Sequence, residues 1–414
     1  MAKTDAIVLG AGIVGTSIAL HLQKRGLAVA LVDRRGPGEG TSYGNAGVIE
    51  GNTLFPHAFP SGLMPLLRVA LKQASEANYH LSFLPWVAPW LWEYRQNTQL
   101  AGRMQFAKLM RPLFERALAE HEELMAESKA ERYLRKTGWL KLYRTEAAFA
   151  DTAPERKLAT QLQLPHQVLD SAGARALEPA LAPVFHCAIH WSGAASIGNP
   201  LAVTQAYAMR FVDLGGALCD GNARTLRRAG ENWRVNTDRG EIDARMAIVA
   251  LGPWSPDVLE PLGIKLPLAV KRGYHWHFEP RGNTGLNRPV VDVEFGYCVA
   301  PMEHGLRITT GAEFARRDAP PTPVQFNRLL PKANELFPLG EPLELSPWLG
   351  ARPCFSDSRP VIGRAPAQRD LWLAYGHAHW GLTLGPVTGH LLADMITGVT
   401  PFCDPKPFAA ERFH

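Results

Sequence analysis

A short apolar run ending in three spaced glycines limits this chain to few folds. Ala6-Ile7-Val8-Leu9 suits a buried parallel strand, and Gly10-Ala11-Gly12-Ile13-Val14-Gly15 comes directly after it. Ile18, Ala19 and Leu22 then recur at helical spacing. Gly26 stops that helix, and Ala28-Val29-Ala30-Leu31-Val32 forms a second buried strand closed by Asp33. Each residue meets a demand of a dinucleotide cradle. Gly10 permits a tight turn, Gly12 lets the backbone approach a pyrophosphate, and Gly15 lets helix and strand pack closely. The helix N-terminus faces the phosphate charge, and Asp33, 18 positions beyond Gly15, can accept from a ribose hydroxyl pair. A lone glycine pattern is weak, but strand, helix, strand and acid in this order read as dinucleotide binding. FAD and NAD both use this unit.

The stretch after Asp33 favours FAD. Arg34-Arg35 lead into Gly36-Pro37-Gly38-Glu39-Gly40-Thr41-Ser42-Tyr43-Gly44-Asn45-Ala46-Gly47, where a simple NAD unit would proceed quickly to a third strand. A loop this rich in glycine, hydroxyl and amide groups can run beneath a longer cofactor and offer it backbone N–H groups. Near the other end, Leu371-Trp372-Leu373-Ala374-Tyr375 reads as a strand, and Val387, Leu391 and Met395 keep helical spacing. That helix must start between Gly381 and Pro386, because proline is tolerated only in a first turn. Its N-terminal dipole would favour negative charge on a reduced flavin. No second G-x-G-x-x-G occurs, so electrons are expected to enter from an organic substrate rather than from NAD(P)H.

Four blocks resemble the D-amino acid oxidase-like flavoproteins, and within them the bacterial D-amino acid dehydrogenases. They are Ser42-Tyr43-Gly44-Asn45-Ala46-Gly47; Ala247-Ile248-Val249-Ala250-Leu251-Gly252-Pro253-Trp254-Ser255; Trp348-Leu349-Gly350-Ala351-Arg352-Pro353 with Asp357 to Gly363; and Tyr375-Gly376-His377-Ala378-His379-Trp380-Gly381-Leu382-Thr383-Leu384. The last departs from the family pattern at Ala378, usually glycine. The resemblance implies non-covalent FAD, since Gly350 rather than Cys354 stands where sarcosine oxidase relatives carry a tethering cysteine. The cofactor-binding set expected from cradle, loop and resemblance is Gly10, Ala11, Gly12, Ile13, Val14, Gly15, Asp33, Arg34, Arg35, Thr41, Ser42, Asn45, Ala46, Gly47, Ala223, Leu251, Gly252, Trp254, Gly350, Arg352, His379, Gly381, Leu382 and Thr383.

An amino acid dehydrogenase must hold a carboxylate so that Cα–H points at flavin N5, and a bidentate arginine is the natural device. The resemblance gives that role to Arg352 and implies substrate contacts for Arg272 and Tyr297, each of which alone reads equally as a structural pair; His379 is expected to touch flavin or substrate, or else to satisfy backbone groups. The implied reaction is hydride transfer from Cα of a small D-amino or imino acid to N5, giving an imine and then a 2-oxo acid, with electrons passed to a quinone or other acceptor. Three alternatives stay open: an oxygen-using oxidase, a flavoprotein subunit of a larger amine or opine dehydrogenase complex, and an NAD-dependent dehydrogenase.

Composition narrows the partners. The 44 basic and 39 acidic side chains leave a charge of +5 without a basic patch, so nucleic acid is not expected. Cys187, Cys219, Cys298, Cys354 and Cys403 form no C-x-x-C pair or metal spacing, and neither a redox disulfide nor a metal site is expected. Met1-Ala2-Lys3 runs straight toward a strand rather than a cleavable signal, which predicts a cytoplasmic protein. Phe83 to Trp92, apolar, aromatic and broken by two prolines, leaves open a peripheral contact with the inner face of the cytoplasmic membrane; core packing is the plainer reading. The expected fold is α/β, a Rossmann-like FAD-binding unit (1–52, 190–262 and 345–414) joined to an α+β substrate unit with an antiparallel or mixed sheet (53–189 and 263–344).

Overall fold

A computed structural model of the chain describes residues 4–52, 54–60, 62–282 and 284–413; Met1-Ala2-Lys3, on which the reading of the start rests, lies outside them. The opening strand Thr4–Leu9 pairs in parallel with Val29–Asp33 on one side and Gly240–Val249 on the other. Ala217–Ala229 continues the sheet beyond Val29–Asp33, and Leu371–Tyr375 continues it beyond Gly240–Val249. Both faces of these strands are covered, which is why they are apolar without alternation. Ile7, Leu9, Val32, Val249 and Leu373 pack on one side, and Ala6, Val8, Leu31 and Ile248 on the other. Each of the larger of these side chains contributes about 1.5–3 kcal/mol by leaving water.

The first helix, Ile13–Lys24, packs against the last, Gly381–Thr397. The approach depends on two glycines: a Cβ at Gly385 would meet Ile13 at 2.9 Å, and one at Gly389 would meet the Ser17 backbone at 2.8 Å. N- and C-terminal segments therefore meet along two helices whose N-termini open toward the same space.

Among the described residues the second large sheet has eleven strands organised around Ala269–Pro280, which pairs antiparallel with Gly305–Thr309, Ala312–Phe314, Leu339–Pro342 and Trp348–Cys354. Trp139–Tyr143, Cys187–Trp191 and Tyr297–Met302 belong to it as well. Sheet membership thus places Trp348–Cys354 with this second sheet, not with the one built on Thr4–Leu9, whereas a division at 345 would separate them. Leu100–Glu127 forms a long helix of 28 residues. Leu84–Asn97 buries Val87, Trp90 and Tyr94 and leaves Trp86 and Trp92 exposed. Among the described residues no helix is long and apolar enough to cross a membrane, and no group of three or more His, Cys, Asp or Glu side chains is placed to hold a metal ion.

Candidate active site

One cavity of about 1210 Å³ runs between the two large sheets, and both contribute to its wall. At its first end Gly10 adopts φ +106°, and a Cβ there would lie 2.6 Å from the Ala250 carbonyl oxygen. Only glycine satisfies both conditions. Gly12 precedes the first helix without a side-chain cap, and the Ile13 N–H donates to Ser42 Oγ at 3.0 Å. Gly10, Ala11, Gly12, Ile13, Val14 and Ser42 all line the cavity. Gly15 does not; its Cβ would fall 1.9 Å from the Gly10 oxygen, so it serves the turn itself. The Asp33 carboxylate accepts from the Ala11 N–H at 2.7 Å and the Arg35 N–H at 3.2 Å, closing the cradle. Arg34 and Arg35 lie over the Trp254 ring at 5.8 and 5.2 Å, with Ala223, Leu251 and Gly252 on the same wall.

The glycine-rich loop crosses the middle. Thr41 donates to the Ala351 carbonyl at 3.0 Å, and Asn45 donates to the His379 carbonyl at 3.3 Å while accepting from the Gly47 N–H at 2.8 Å. Its fold is fixed by Arg307, which sequence reasoning missed. This guanidinium donates to the Tyr43 and Asn45 carbonyls at 2.8 and 2.6 Å and to His277 at 2.9 Å, and burial pushes its pKa down to about 10. Ala46, Gly350, Gly381 and Leu382 line the cavity beside the loop. Gly47 and Thr383 stand behind it: Gly47 abuts the Ile197 carbonyl, and the Thr383 hydroxyl donates to the Val48 carbonyl at 3.1 Å. Ala378 holds φ +50°, the left-handed geometry natural to the glycine that the resemblance expects there.

The far end gathers cations. Arg352 lies against Gly273, where a Cβ would meet its guanidinium at 2.4 Å, and it donates to the Gly311 and Thr310 carbonyls at 2.9 and 3.0 Å. Burial lowers its pKa, and Cys354 is the one group raising it. The His379 and His57 rings lie 4.8 Å apart and tilted by 34°, so His57, which shows no clustering in sequence, joins the site. Burial, and secondarily the charges of His57, Arg352 and Lys271, push His379 well below the ordinary imidazole range; desolvation by the surrounding cavity walls and the charges of Lys141, Lys271 and Arg352 push His57, itself exposed to the open space, to about 4. Both are neutral at pH 7.

Two expectations need correction. Arg272 faces away from the cavity, fully buried in a salt bridge to Glu313 and in hydrogen bonds to the Arg316 and Pro320 carbonyls. The Tyr297 ring borders the cavity, but its hydroxyl points into the network of Lys332, Arg144 and Asp292. Neither has a polar group free to hold a substrate carboxylate.

The buried histidines also set a pH limit on the fold. Desolvation pushes His121 down to about 4 and His21 and His377 to about 3. Their folded pKa values lie below the unfolded value of about 6.5, so the unfolded chain takes up protons that the folded chain refuses. Stability is therefore expected to be retained above about pH 6.5 and to fall as pH drops toward about 4, by up to about 1.4 kcal/mol per pH unit for each histidine. Urea midpoints at about pH 7.5 and about pH 5 check this; equal midpoints would contradict it.

A glycine-turn cradle and a roofing sheet that share one cavity are the parts of a flavin-dependent oxidoreductase, and the comparisons agree. Residues 5–395 match the family model described as DAO, FAD dependent oxidoreductase, and the chain belongs to that family. It is 31% identical to a D-amino acid dehydrogenase of Rhizorhabdus wittichii, over 98% of this chain and 99% of the relative. A D-amino-acid oxidase of Bradyrhizobium diazoefficiens is 28% identical, over 98% of each chain. Among solved structures, glycine oxidase from Geobacillus kaustophilus superposes with a TM-score of 0.76 at 22% identity, covering 99% of each chain. L-proline dehydrogenase from P. horikoshii gives 0.73 at 19%, covering 99% of this chain and 98% of that one. The chain is an FAD-dependent enzyme of this family.

Proposed function

We propose that the chain oxidises a small D-amino or imino acid at Cα and passes the electrons to a quinone or another acceptor. The observation that carries this reading is Arg352: a half-buried guanidinium on the cavity wall with no carboxylate partner among the described residues, beside two neutral imidazoles. The cradle residues from Gly10 to Val14, Asp33, Ser42 and the first turn at Gly381 and Leu382 suit FAD, which supplies a two-electron acceptor for the hydride leaving Cα. Arg352 grips the substrate carboxylate and fixes Cα. Lys271 and Arg352 disfavour a further positive charge nearby, so they favour the unprotonated amine from which hydride loss is possible. The resulting imine departs and is hydrolysed in water to the 2-oxo acid.

The test has two parts. Acid precipitation of the purified yellow protein is expected to release all its FAD, as a non-covalent cofactor must. Anaerobic addition of D-amino and imino acids is expected to bleach the flavin band at about 450 nm. A colourless protein, or a band that no amino or imino acid bleaches, would remove the proposal. Reoxidation by air against a quinone then separates oxidase from dehydrogenase.

A membrane surface is the proposed meeting place with a quinone. The helix Leu63–Ala70 turns Leu66 and Val69 to the cavity and leaves Leu63, Met64 and Leu67 exposed, and the helix Leu84–Asn97 leaves Trp86 and Trp92 exposed. Arg316 lies over Trp86 and Arg95 over Trp92, so each exposed indole carries a basic neighbour suited to anionic headgroups. Flotation with anionic vesicles is expected, and W86S/W92S should abolish it. Equal recovery of both proteins with vesicles would sink this part.

A further inference from the structure

Lys271 is left unexplained by a single substrate carboxylate. It is the direct partner of Arg352 across the antiparallel pair Ala269–Pro280 and Trp348–Cys354, and both line the cavity. Its ammonium lies 3.7 Å from the centre of the Tyr94 ring and 5.0 Å from that of Trp90. Among the described residues it has neither a hydrogen-bond acceptor nor a carboxylate. The aromatic pair is stacked, with centroids 4.9 Å apart, and Tyr94 is anchored through its hydroxyl to the His57 carbonyl. The lysine is therefore held in place without being neutralised.

Two cations side by side on one wall, neither paired, are costly in a partly desolvated cavity unless the ligand brings compensating charge. Other basic groups here are matched: Lys141 is paired with Glu155, and Arg272 with Glu313. Two of the acidic side chains on the wall are already engaged, Glu155 with Lys141 and Asp292 with Arg144, and among the described residues none forms an ion pair with Lys271 or Arg352. The pair Lys271 and Arg352 lacks an ion-paired anion among the described residues.

We propose that the substrate carries two carboxylates, one held by Arg352 and the other by Lys271. The second is carried on the side chain, as in an aminodicarboxylate, or on the nitrogen, as in an N-carboxymethyl amino acid. This inference rests on the amino-acid-oxidising reading of the same cavity and names its substrate class. Tyr94 and Trp90 orient the ammonium by cation–π contact and close that side of the cavity to water. The ammonium is a point charge with freely rotating donors, which tolerates either placement of the second carboxylate.

The experiment compares matched pairs on the holoenzyme. Anaerobic flavin bleaching is measured with D-glutamate against D-glutamine, D-aspartate against D-asparagine, and iminodiacetate against sarcosine. Calorimetry measures binding of malonate and succinate against acetate and propionate, which undergo no oxidation. The diacid of each pair is expected to be favoured by about tenfold or more, the size of one charge-assisted contact. In K271Q the ratio should collapse toward one, and in K271R it should persist. Wild-type protein that treats diacid and monoacid alike overturns the proposal even if K271Q does not fold. A K271Q protein that weakens both classes by the same factor also overturns it, because Lys271 and Arg352 then share one carboxylate. If no amino acid bleaches the flavin, the oxidation reading fails while calorimetry still reports on the second anion. The glutamate and iminodiacetate arms separate side-chain from nitrogen-borne acid.

Discussion

Arg352→Ala is expected to slow flavin reduction by the best amino or imino acid substrate by about a thousandfold in kcat/KM while leaving the protein yellow. The size reflects the contact removed. A two-pronged charged contact in a desolvated cavity is worth about 3–4 kcal/mol, and the same contact sets the direction in which Cα–H points. Retention of FAD is expected from where the guanidinium sits: Arg352 is bound to the Thr310 and Gly311 carbonyls and rests on Gly273, all on the side of the second sheet, whereas the cradle from Gly10 to Asp33 belongs to the first. Arg352→Lys should recover only part of the loss, since an ammonium keeps the charge but not the planar fork. Anaerobic stopped-flow at the flavin band, with FAD content measured on the same samples, checks both halves. A kcat/KM within about tenfold of wild type would remove Arg352 from the site, and a colourless variant would mean that it holds the cofactor instead.

The two halves of the cavity were unequally legible in the sequence, for a physical reason. Cradle residues from Gly10 to Asp33 act within one strand–helix–strand unit, so spacing alone fixes who faces whom. The substrate end is made from strands whose register no local pattern reveals, and a strand changes face at every residue. Arg272 and Lys271 differ by one position, and that step separates an interior salt bridge from the cavity wall. The same parity runs along Tyr297–Met302: Cys298, Ala300 and Met302 pack toward the loop at Ala46, while Tyr297 and Val299 join the core on the opposite face. Arg307 was illegible because its partners, the carbonyls of Tyr43 and Asn45, lie 264 and 262 positions away in the chain. His57 comes from a stretch without regular structure, where no periodicity announces its approach to His379.

Arg272 is the sharpest test of that parity, because the two faces of its strand assign it opposite jobs. Its guanidinium and the Glu313 carboxylate are both fully buried, joined Nε to Oε2 at 2.7 Å. Around them Arg272 also donates to the Tyr274 hydroxyl at 3.3 Å and the Pro320 carbonyl at 2.9 Å, while Glu313 accepts from Tyr274 at 3.0 Å and from the Thr322 hydroxyl. Arg272→Met strands the carboxylate without its partner and leaves the Pro320 and Arg316 carbonyls short of a donor. The expected loss is about 3–5 kcal/mol of stability, read as a lowered urea midpoint. Flavin reduction at a temperature where the variant is folded should stay within about threefold of wild type, since the Arg272 side chain does not line the cavity. The double variant R272M/E313L should recover much of the loss, because replacing both charges removes the uncompensated ion instead of creating it. Were R272M instead to keep its midpoint and lose amino acid turnover by about a hundredfold, Arg272 would belong to the carboxylate clamp and the strand would have to present the opposite face to the cavity.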